Sequence, residues 1–284
     1  MESTGIYSAE LARARALLAG AERIVVGVGS GLSAAGGLDY GAPGPAARWF
    51  PEYGAGSLAE IQVRFWWYDR CRPEEYWGYW ARHILHIRYE TPALAPYRAL
   101  ARLLEGRDYF IATTNADGQL GKAGFPREKI FAPQGDYCWF QCKTPCCGEL
   151  VYNEDLVRAM VDNMPSPTEI RTRDIPRCPR CGAPLVPNLR IDGSFVEAPH
   201  FHNAGDYGAF LRAAEEGPTV LLELGVGYNT PGIIRHPFER WALAHPGAAL
   251  IRVNRDWPGL PEALGSRGLG LGMDLGRALE ALGT

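Results

Sequence analysis

The sequence predicts an α/β protein, a doubly wound parallel sheet carrying a smaller insert. Three observations predict it. Short apolar runs recur at long intervals along the 284 residues, as strands do when each is buried on both faces and a helix separates it from the next. A glycine-rich segment follows the first run directly, where a loop at the carboxyl edge of such a sheet approaches a ligand. Two stretches, one crowded with aromatics and one with cysteine pairs, break the alternation and mark the insert.

Taken in order, residues 8–19 read as a helix. Ser8 is the expected N-cap, Leu11, Ala14 and Leu18 share a face, and Gly20 is the stop. Residues 23–28 form the first strand, an unbroken β-branched run. Similar runs lie at 109–113, 219–224 and 249–253, with a weaker candidate at 129–132. Residues 49–89 hold the aromatics, among them Phe65-Trp66-Trp67-Tyr68 and Tyr76-Trp77-Gly78-Tyr79-Trp80. They read first as the core of a helical insert and second as pocket walls. Residues 142–202 are rich in proline, with cysteine pairs near the start and beyond the middle. The expected division is 1–40, 91–134 and 203–284 for the sheet domain. Residues 41–90 and 135–202 make the small domain.

Composition narrows the function. Hydrophobic residues are 46% and charged residues 21%, ordinary for a globular protein. A net charge of −3 lacks the basic excess of a nucleic-acid binder. No apolar run approaches the roughly 18–20 residues that span a bilayer. Residues 1–20 mix acids and arginines with alanine, unlike the basic-then-apolar order of a secretory signal. Seven cysteines, most in close pairs, argue for a metal site in a reducing, cytoplasmic setting over a disulfide framework.

The glycine segment runs Gly27-Val28-Gly29-Ser30-Gly31-Leu32-Ser33-Ala34-Ala35-Gly36-Gly37. Glycines let the backbone turn tightly beside a pyrophosphate, and the next helix start offers N–H groups to it. Ser33 adds a hydroxyl donor. The strict dinucleotide fingerprint is absent, because Leu32 occupies its last glycine position, so an ordinary dehydrogenase is disfavoured. Asn115-Ala116-Asp117-Gly118 puts an amide and a carboxylate just after the second strand. Its structural alternative is a self-capped turn. Cys178 and Cys181 form a C-x₂-C knuckle, and Cys142 and Cys146 a C-x₃-C pair. Four thiolates suit one structural zinc, which needs no open position. Cys147 leaves the second ligand open between Cys146 and itself.

In this order the motifs resemble those of the sirtuin (Sir2) family. The glycine loop through Leu38-Asp39-Tyr40, the segment from Thr113 to Gly124, the cysteine pairs and Gly225-Val226-Gly227-Tyr228-Asn229-Thr230-Pro231 each resemble a sirtuin motif. Asn254, after the last strand, resembles the asparagine that contacts the adenosine ribose. The resemblance spans roughly residues 24–254 and implies a Rossmann-like NAD domain with a zinc-bearing insert. Four departures bear on activity. Gln134 stands eight residues before Cys142, where deacylating sirtuins have a histidine. Thr114 replaces the usual glutamine, and Gly41 follows Tyr40 in place of an arginine. Residues 187–192 read Pro-Asn-Leu-Arg-Ile-Asp in place of a hydrophobic stretch. This set is similar to the macrodomain-linked (class M) sirtuins.

That resemblance implies an NAD-dependent protein ADP-ribosyltransferase. Its implied acceptor is a lipoylated carrier domain of the glycine-cleavage H type, with a macrodomain hydrolase as possible partner. NAD glycohydrolase and weak deacylase are the alternatives, followed by a non-enzymatic NAD-binding module. The implied nucleotide contacts are Gly27, Gly29, Ser33, Asp39, Tyr40, Asn115, Asp117, Gln134, Gly225, Val226, Gly227, Asn229 and Asn254. Asp117 is expected at the nicotinamide carboxamide and Asn115 at the ribose. Deacylation needs a base with a pKa near neutrality. Gln134 hydrogen-bonds but does not titrate, so efficient deacylation is disfavoured. Arg190 is expected to bind or polarise an acidic acceptor, or else to form a surface ion pair with Asp192 or another acid. His83 and His86 read as packing or solvent residues, and His200 and His202 as secondary candidates for ligand or base.

Overall fold

The computed structural model describes residues 7–283. Residues 1–6, the start of the segment weighed as a secretory signal, lie outside them. Nine strands form among the described residues: β1 Arg23–Val28, β2 Asp108–Thr113, β3 Ile130–Phe131, β4 Gly135–Cys142, β5 Val151–Tyr152, β6 Leu185–Leu189, β7 Thr219–Leu224, β8 Ala248–Val253 and β9 Gly268–Leu271. Six make one sheet in the order β3-β2-β1-β7-β8-β9, every neighbouring pair parallel. The order reverses between β1 and β7. Such a reversal opens a crevice beyond the carboxyl ends of the two strands.

Burial explains the apolar runs. All six residues of β7 and all six of β8 are buried. Ile24, Val26 and Val28 pack on one face against Leu11, Leu18, Leu100 and Leu279, from helices Ser8–Gly20, Ala95–Leu104 and Leu275–Leu282. Val25, Leu221 and Leu250 pack on the other face with Phe238 and Ala242, from helix Arg235–Ala244. The first helix corrects one expectation. Ser8 is its first residue, Tyr7 precedes it, and no side chain caps that end.

Charges inside the sheet tie its carboxyl-end loops together. Glu223 and Arg252 face each other across β7 and β8, are fully buried and bond at 2.6 and 2.8 Å. Arg235, 3.6 Å from Glu223, donates to the carbonyls of Val226 and Trp257. Pairing and hydrogen bonds offset the desolvation of these groups, and the loops after β7 and β8 are thereby held to one cation.

The insert has its own core. Helices Pro43–Trp49, Leu58–Arg64 and Pro73–Ile84 pack beside a three-stranded antiparallel sheet in the order β5-β4-β6. Trp77, Tyr79 and Trp80 are wholly buried. Trp77 meets Phe140 of β4 edge-on at 4.7 Å, so the aromatic stretch and the cysteine stretch share one core. Large rings supply that core with apolar area that so few residues of other types would not.

Candidate active site

The two glycine loops meet where the strand order reverses. A Cβ on Gly29 would lie 2.6 Å from the Gly225 carbonyl oxygen, and one on Gly225 would lie 2.6 Å from the Leu32 nitrogen. Gly225 also holds φ +63°, a region costly for any residue with a Cβ. Glycine here permits backbone against backbone, and Gly31 N–H donates to the Gly225 carbonyl at 3.0 Å. Gly27 serves differently. It sits in β1, and a Cβ there would strike Ile234 and Phe238, so it lets the flanking helix close on the strand.

Beside this junction lies a cavity of about 490 Å³. Gly29, Ser33, Tyr40, Asn115, Asp117, Gln134, Arg190, Val226, Gly227 and Asn229 are among the residues that line it. Gly27, Asp39, Gly225 and Asn254 are not. Asp39 accepts from the Gly41 N–H at 2.8 Å. Asn254 donates to the Val226 carbonyl at 3.0 Å and accepts from the N–H groups of Asp256 and Trp257, which shapes the loop after β8.

Asn115 and Asp117 leave the end of β2 and are pinned by one hydrogen-bond chain. Asn115 Nδ2 donates to the Gly29 carbonyl at 3.0 Å and to Tyr97 Oη at 2.9 Å. Tyr97 Oη and Ser33 Oγ lie 2.7 Å apart. Ser33 Oγ donates to Asp117 Oδ2 at 2.5 Å. Ser33 spends its only hydrogen on the carboxylate, so Tyr97 donates to Ser33 and receives from Asn115. With both Nδ2 hydrogens used, Oδ1 is the atom of the Asn115 amide left to accept a further hydrogen bond. Asp117 also accepts from the Gln119 N–H at 3.0 Å. Burial pushes its carboxyl pKa up, while Ser33 and Gln119 pull it down. Tyr97 went unnoticed in the sequence because it lies in a helix 18 residues before Asn115. Its hydroxyl, fully buried at the end of an apolar helix face, is the signal that finds it.

Gln134 follows β3 and lines the same cavity. Among the described residues nothing hydrogen-bonds its side-chain amide, and its carbonyl accepts from the Arg190 N–H at 3.1 Å. Arg190 bonds Glu197 at 2.6 Å and the Pro133 carbonyl at 3.1 Å, with its guanidinium over Phe195 at 4.7 Å. Its ion-pair partner is therefore Glu197, and the cation is fixed at the cavity rim. No histidine lines this cavity among the described residues. His200 and His202 line an adjoining hollow of about 340 Å³ whose wall also includes Asn115 and Asp117, and His200 Nε2 bonds Asn188 Oδ1.

The cysteines converge. The sulfurs of Cys142, Cys146, Cys178 and Cys181 lie within 4.8 Å of one another, with two pairs at 3.6 Å. Zn–S bonds of about 2.3 Å place tetrahedral sulfurs roughly 3.8 Å apart, so the four fit one structural zinc. Cys147 is outside the set, with its sulfur 3.9 Å from that of Cys146. Backbone N–H groups of Cys181 and Arg180 pull the Cys178 thiol down, while burial raises Cys142 and the neighbouring thiols raise Cys146; a bound cation favours the thiolate form of all four. No histidine joins the cluster.

No protein-family model matches the chain. It is similar to a protein ADP-ribosyltransferase of Staphylococcus aureus (strain Mu50 / ATCC 700699), 31% identical over 268 residues, covering 90% of this chain and 81% of that protein. It is also similar to a probable bifunctional ADP-ribose hydrolase/ADP-ribosyltransferase of Fusarium oxysporum f. sp. cubense, 33% identical over 288 residues. That match covers 96% of this chain and 47% of that protein, so the chain spans about half its length. Among solved structures, a Sir2 homologue in complex with NAD shares 19% identity at a TM-score of 0.59, covering 95% of this chain and 91% of that one. A Sir2 protein bound to a propionylated peptide shares 16% at 0.56, covering 99% and 96%. Likeness at this identity shows the fold.

Proposed function

Because the chain belongs to the sirtuin family, among its ADP-ribosylating members, we propose that the cavity at the strand reversal holds NAD and that ADP-ribose passes from it to a protein. The chain is an NAD-dependent ADP-ribosyltransferase. The acceptor we propose is a lipoylated carrier domain of the glycine-cleavage H type. The hydrolase coupled to the transferase in the name of the Fusarium relative supports an ADP-ribose hydrolase, of macrodomain type, as partner. The thiol-rich metal cluster favours a cytoplasmic setting. No helix among the described residues is long and apolar enough to cross a membrane.

One observation carries the reading. The cavity joins a pinned amide and a buried carboxylate, Asn115 and Asp117, to a glutamine at the position where acyl transfer demands a base. Breaking the nicotinamide–ribose bond develops positive charge on the sugar. Oriented oxygens in a site sheltered from water stabilise such charge more than water does. Asn115 Oδ1 and the Asp117 carboxylate are the oxygens available, and Asp117 is the proposed acceptor for the carboxamide N–H. Gln134 takes no proton at any physiological pH. An acceptor that is already a good nucleophile needs no such base, and transfer to it goes forward. Arg190, fixed at the rim, is the proposed contact for an acidic acceptor. The sheet domain, proposed as 1–40, 91–134 and 203–284, holds the nucleotide, and the insert borders it through Gln62, Tyr137 and Arg190.

Incubation with labelled NAD and a lipoylated H-type carrier tests this. Label on the carrier is the expected result. Free ADP-ribose and nicotinamide with an unlabelled carrier identify a glycohydrolase, and acyl release from a modified peptide identifies a deacylase. Asn115→Ala is expected to lower transfer by about 10²-fold, as loss of one oriented stabilising group does. Undiminished transfer by that variant overturns the site.

A further inference from the structure

A second polar chain enters the cavity from the insert, centred on a histidine that the chemistry above does not use. His83 is wholly buried in a cage of rings, with Tyr79 and Tyr137 at 5.2 Å, Trp80 at 5.4 Å and Tyr40 at 5.5 Å. Both ring nitrogens are engaged: Nδ1 with Tyr79 Oη at 3.0 Å and Nε2 with Tyr40 Oη at 2.9 Å. Tyr40 Oη continues to Tyr137 Oη at 3.1 Å, which Gln62 Nε2 also reaches at 3.3 Å. Tyr40, Gln62 and Tyr137 line the cavity, and Tyr79 and His83 do not.

Hydrogen counting gives this chain a direction. A neutral imidazole has one donor and one acceptor, and burial holds His83 neutral by pulling its pKa down to about 3. Tyr79 is wholly buried, and among the described residues its hydroxyl meets only His83. Its hydrogen therefore goes to Nδ1. In the opposite tautomer that hydrogen is stranded in an aromatic core, at a cost of roughly 1–3 kcal/mol. His83 then carries its hydrogen on Nε2 and donates to Tyr40, and Tyr40 donates to Tyr137. Gln62 is a donor too. Tyr137 Oη thus accepts twice, and its own hydrogen is left unspent at the cavity wall.

The neighbourhood of that hydroxyl identifies what it meets. The Tyr137 N–H donates to the Ala116 carbonyl at 2.9 Å, clamping the start of β4 onto the turn between Asn115 and Asp117. Asp117 is among the charges that raise the Tyr137 pKa, burial being the main cause. One wall therefore offers a carboxylate acceptor and the adjacent wall a hydroxyl donor. A primary carboxamide bears both complements, N–H groups and a carbonyl oxygen. We propose that Tyr137, oriented by the Tyr79–His83–Tyr40 chain and by Gln62, donates to the carboxamide oxygen of the nicotinamide group. This rests on the reading that the cavity holds NAD. His83 and Tyr40 are positioning residues here, since neither needs to touch the ligand.

Tyr137→Phe tests it, because the ring that fills the core remains. Inhibition by nicotinamide and the KM for NAD are expected to weaken about 10-fold, while the Kd of ADP-ribose, which lacks the nicotinamide group, changes less than about twofold. Tyr40→Phe leaves the donor but frees its orientation, and a smaller weakening of about threefold is expected, again for the nicotinamide-bearing ligands only. It also serves as the test if Tyr137→Phe does not fold. Equal nicotinamide inhibition in wild type and variants overturns the inference alone, as does an equal loss of ADP-ribose binding. A wild-type chain that binds neither NAD nor ADP-ribose overturns the nucleotide reading and the inference with it.

Discussion

Ser33→Ala isolates the hydrogen bond that keeps Asp117 ionised. Ser33 is nearly buried, 4% exposed, and lies in helix Ser30–Ala35, where alanine is at least as good a former as serine. The backbone therefore has no reason to move. What is lost is the Ser33 donor to Asp117 Oδ2, the acceptor for the Tyr97 hydroxyl and a longer contact from Asn115 Nδ2 at 3.3 Å. The Gln119 N–H alone then faces the carboxylate among the described residues. A hydrogen bond to a charged group contributes about 1.5–3 kcal/mol, and 1.36 kcal/mol corresponds to a tenfold change in an acid dissociation constant. The Asp117 pKa, already raised by burial with Ser33 as the main opposing influence, is thus expected to climb further in the variant.

The sign follows from the role. In the proposed role the ionised form accepts the carboxamide hydrogens, so activity is expected above the Asp117 pKa and falls away below it. In the variant the acidic limb of kcat/KM for nicotinamide release moves to higher pH. Below the limb, the variant is slower by about 10-fold if the limb moves by one on the pH scale and about 100-fold if it moves by two. Well above it the two proteins converge to within the cost of the disturbed Tyr97 contact. The assay is nicotinamide release from NAD across the pH range, with ADP-ribose binding as a control for folding. An acidic limb that stays where the wild type has it refutes the reasoning, whatever the absolute rate.

Three further outcomes are expected. Gly225→Ala adds a Cβ 2.6 Å from the Leu32 nitrogen at φ +63°, so overpacking and a left-handed backbone together cost about 2–5 kcal/mol. Thermal unfolding should show a fall of several degrees, with Gly193→Ala, where nothing lies within 4 Å, unchanged. Metal analysis should find one zinc per chain, lost in Cys146→Ser and retained in Cys147→Ser. Protonation of His83, held down to about 3 by burial, favours the unfolded chain. Its contribution is full above about pH 6.5 and is lost as pH falls toward 3, by up to about 1.4 kcal/mol per pH unit. Asp117 and Glu223, pushed up by burial, titrate in the opposite sense. The difference in urea unfolding between wild type and His83→Phe from pH 7 to 4 is therefore the readout, and parallel curves count against a neutral His83.

The sheet was legible where burial on both faces writes itself as an unbroken apolar run. The reading of 219–224 coincides with β7, and those of 109–113 and 249–253 fall one residue short of β2 and β8. β9 was missed because its residues alternate glycine with leucine, which carries little strand propensity. Its pairing to β8 supplies what its own composition lacks. The small sheet was hidden for another reason. Pro187 lies within β6, and a strand containing proline belongs at an edge, which is where the order β5-β4-β6 puts it.

The site divides along the same line between local and long-range information. Asn115, Asp117 and Gln134 stood out because each follows a strand, and strand ends are adjacent in space by topology alone. Ser33 was marked as a hydroxyl donor by the glycine segment, but two other orienting residues come from elsewhere: Tyr97 from a helix and His83 from the aromatic insert. In sequence each is one polar residue on an apolar face, the pattern of an ordinary core position. A buried hydroxyl or imidazole is expensive unless bonded, so each such residue announces a partner without naming it. Here the partners name a direction. Both chains end on groups lining one cavity, Asn115 and Asp117 from the sheet and Tyr137 from the insert. Buried polar groups from two separate cores converging on the same 490 Å³ cavity support the proposal that the chemistry is there, with the glutamine beside it as the proposed determinant of which chemistry that is.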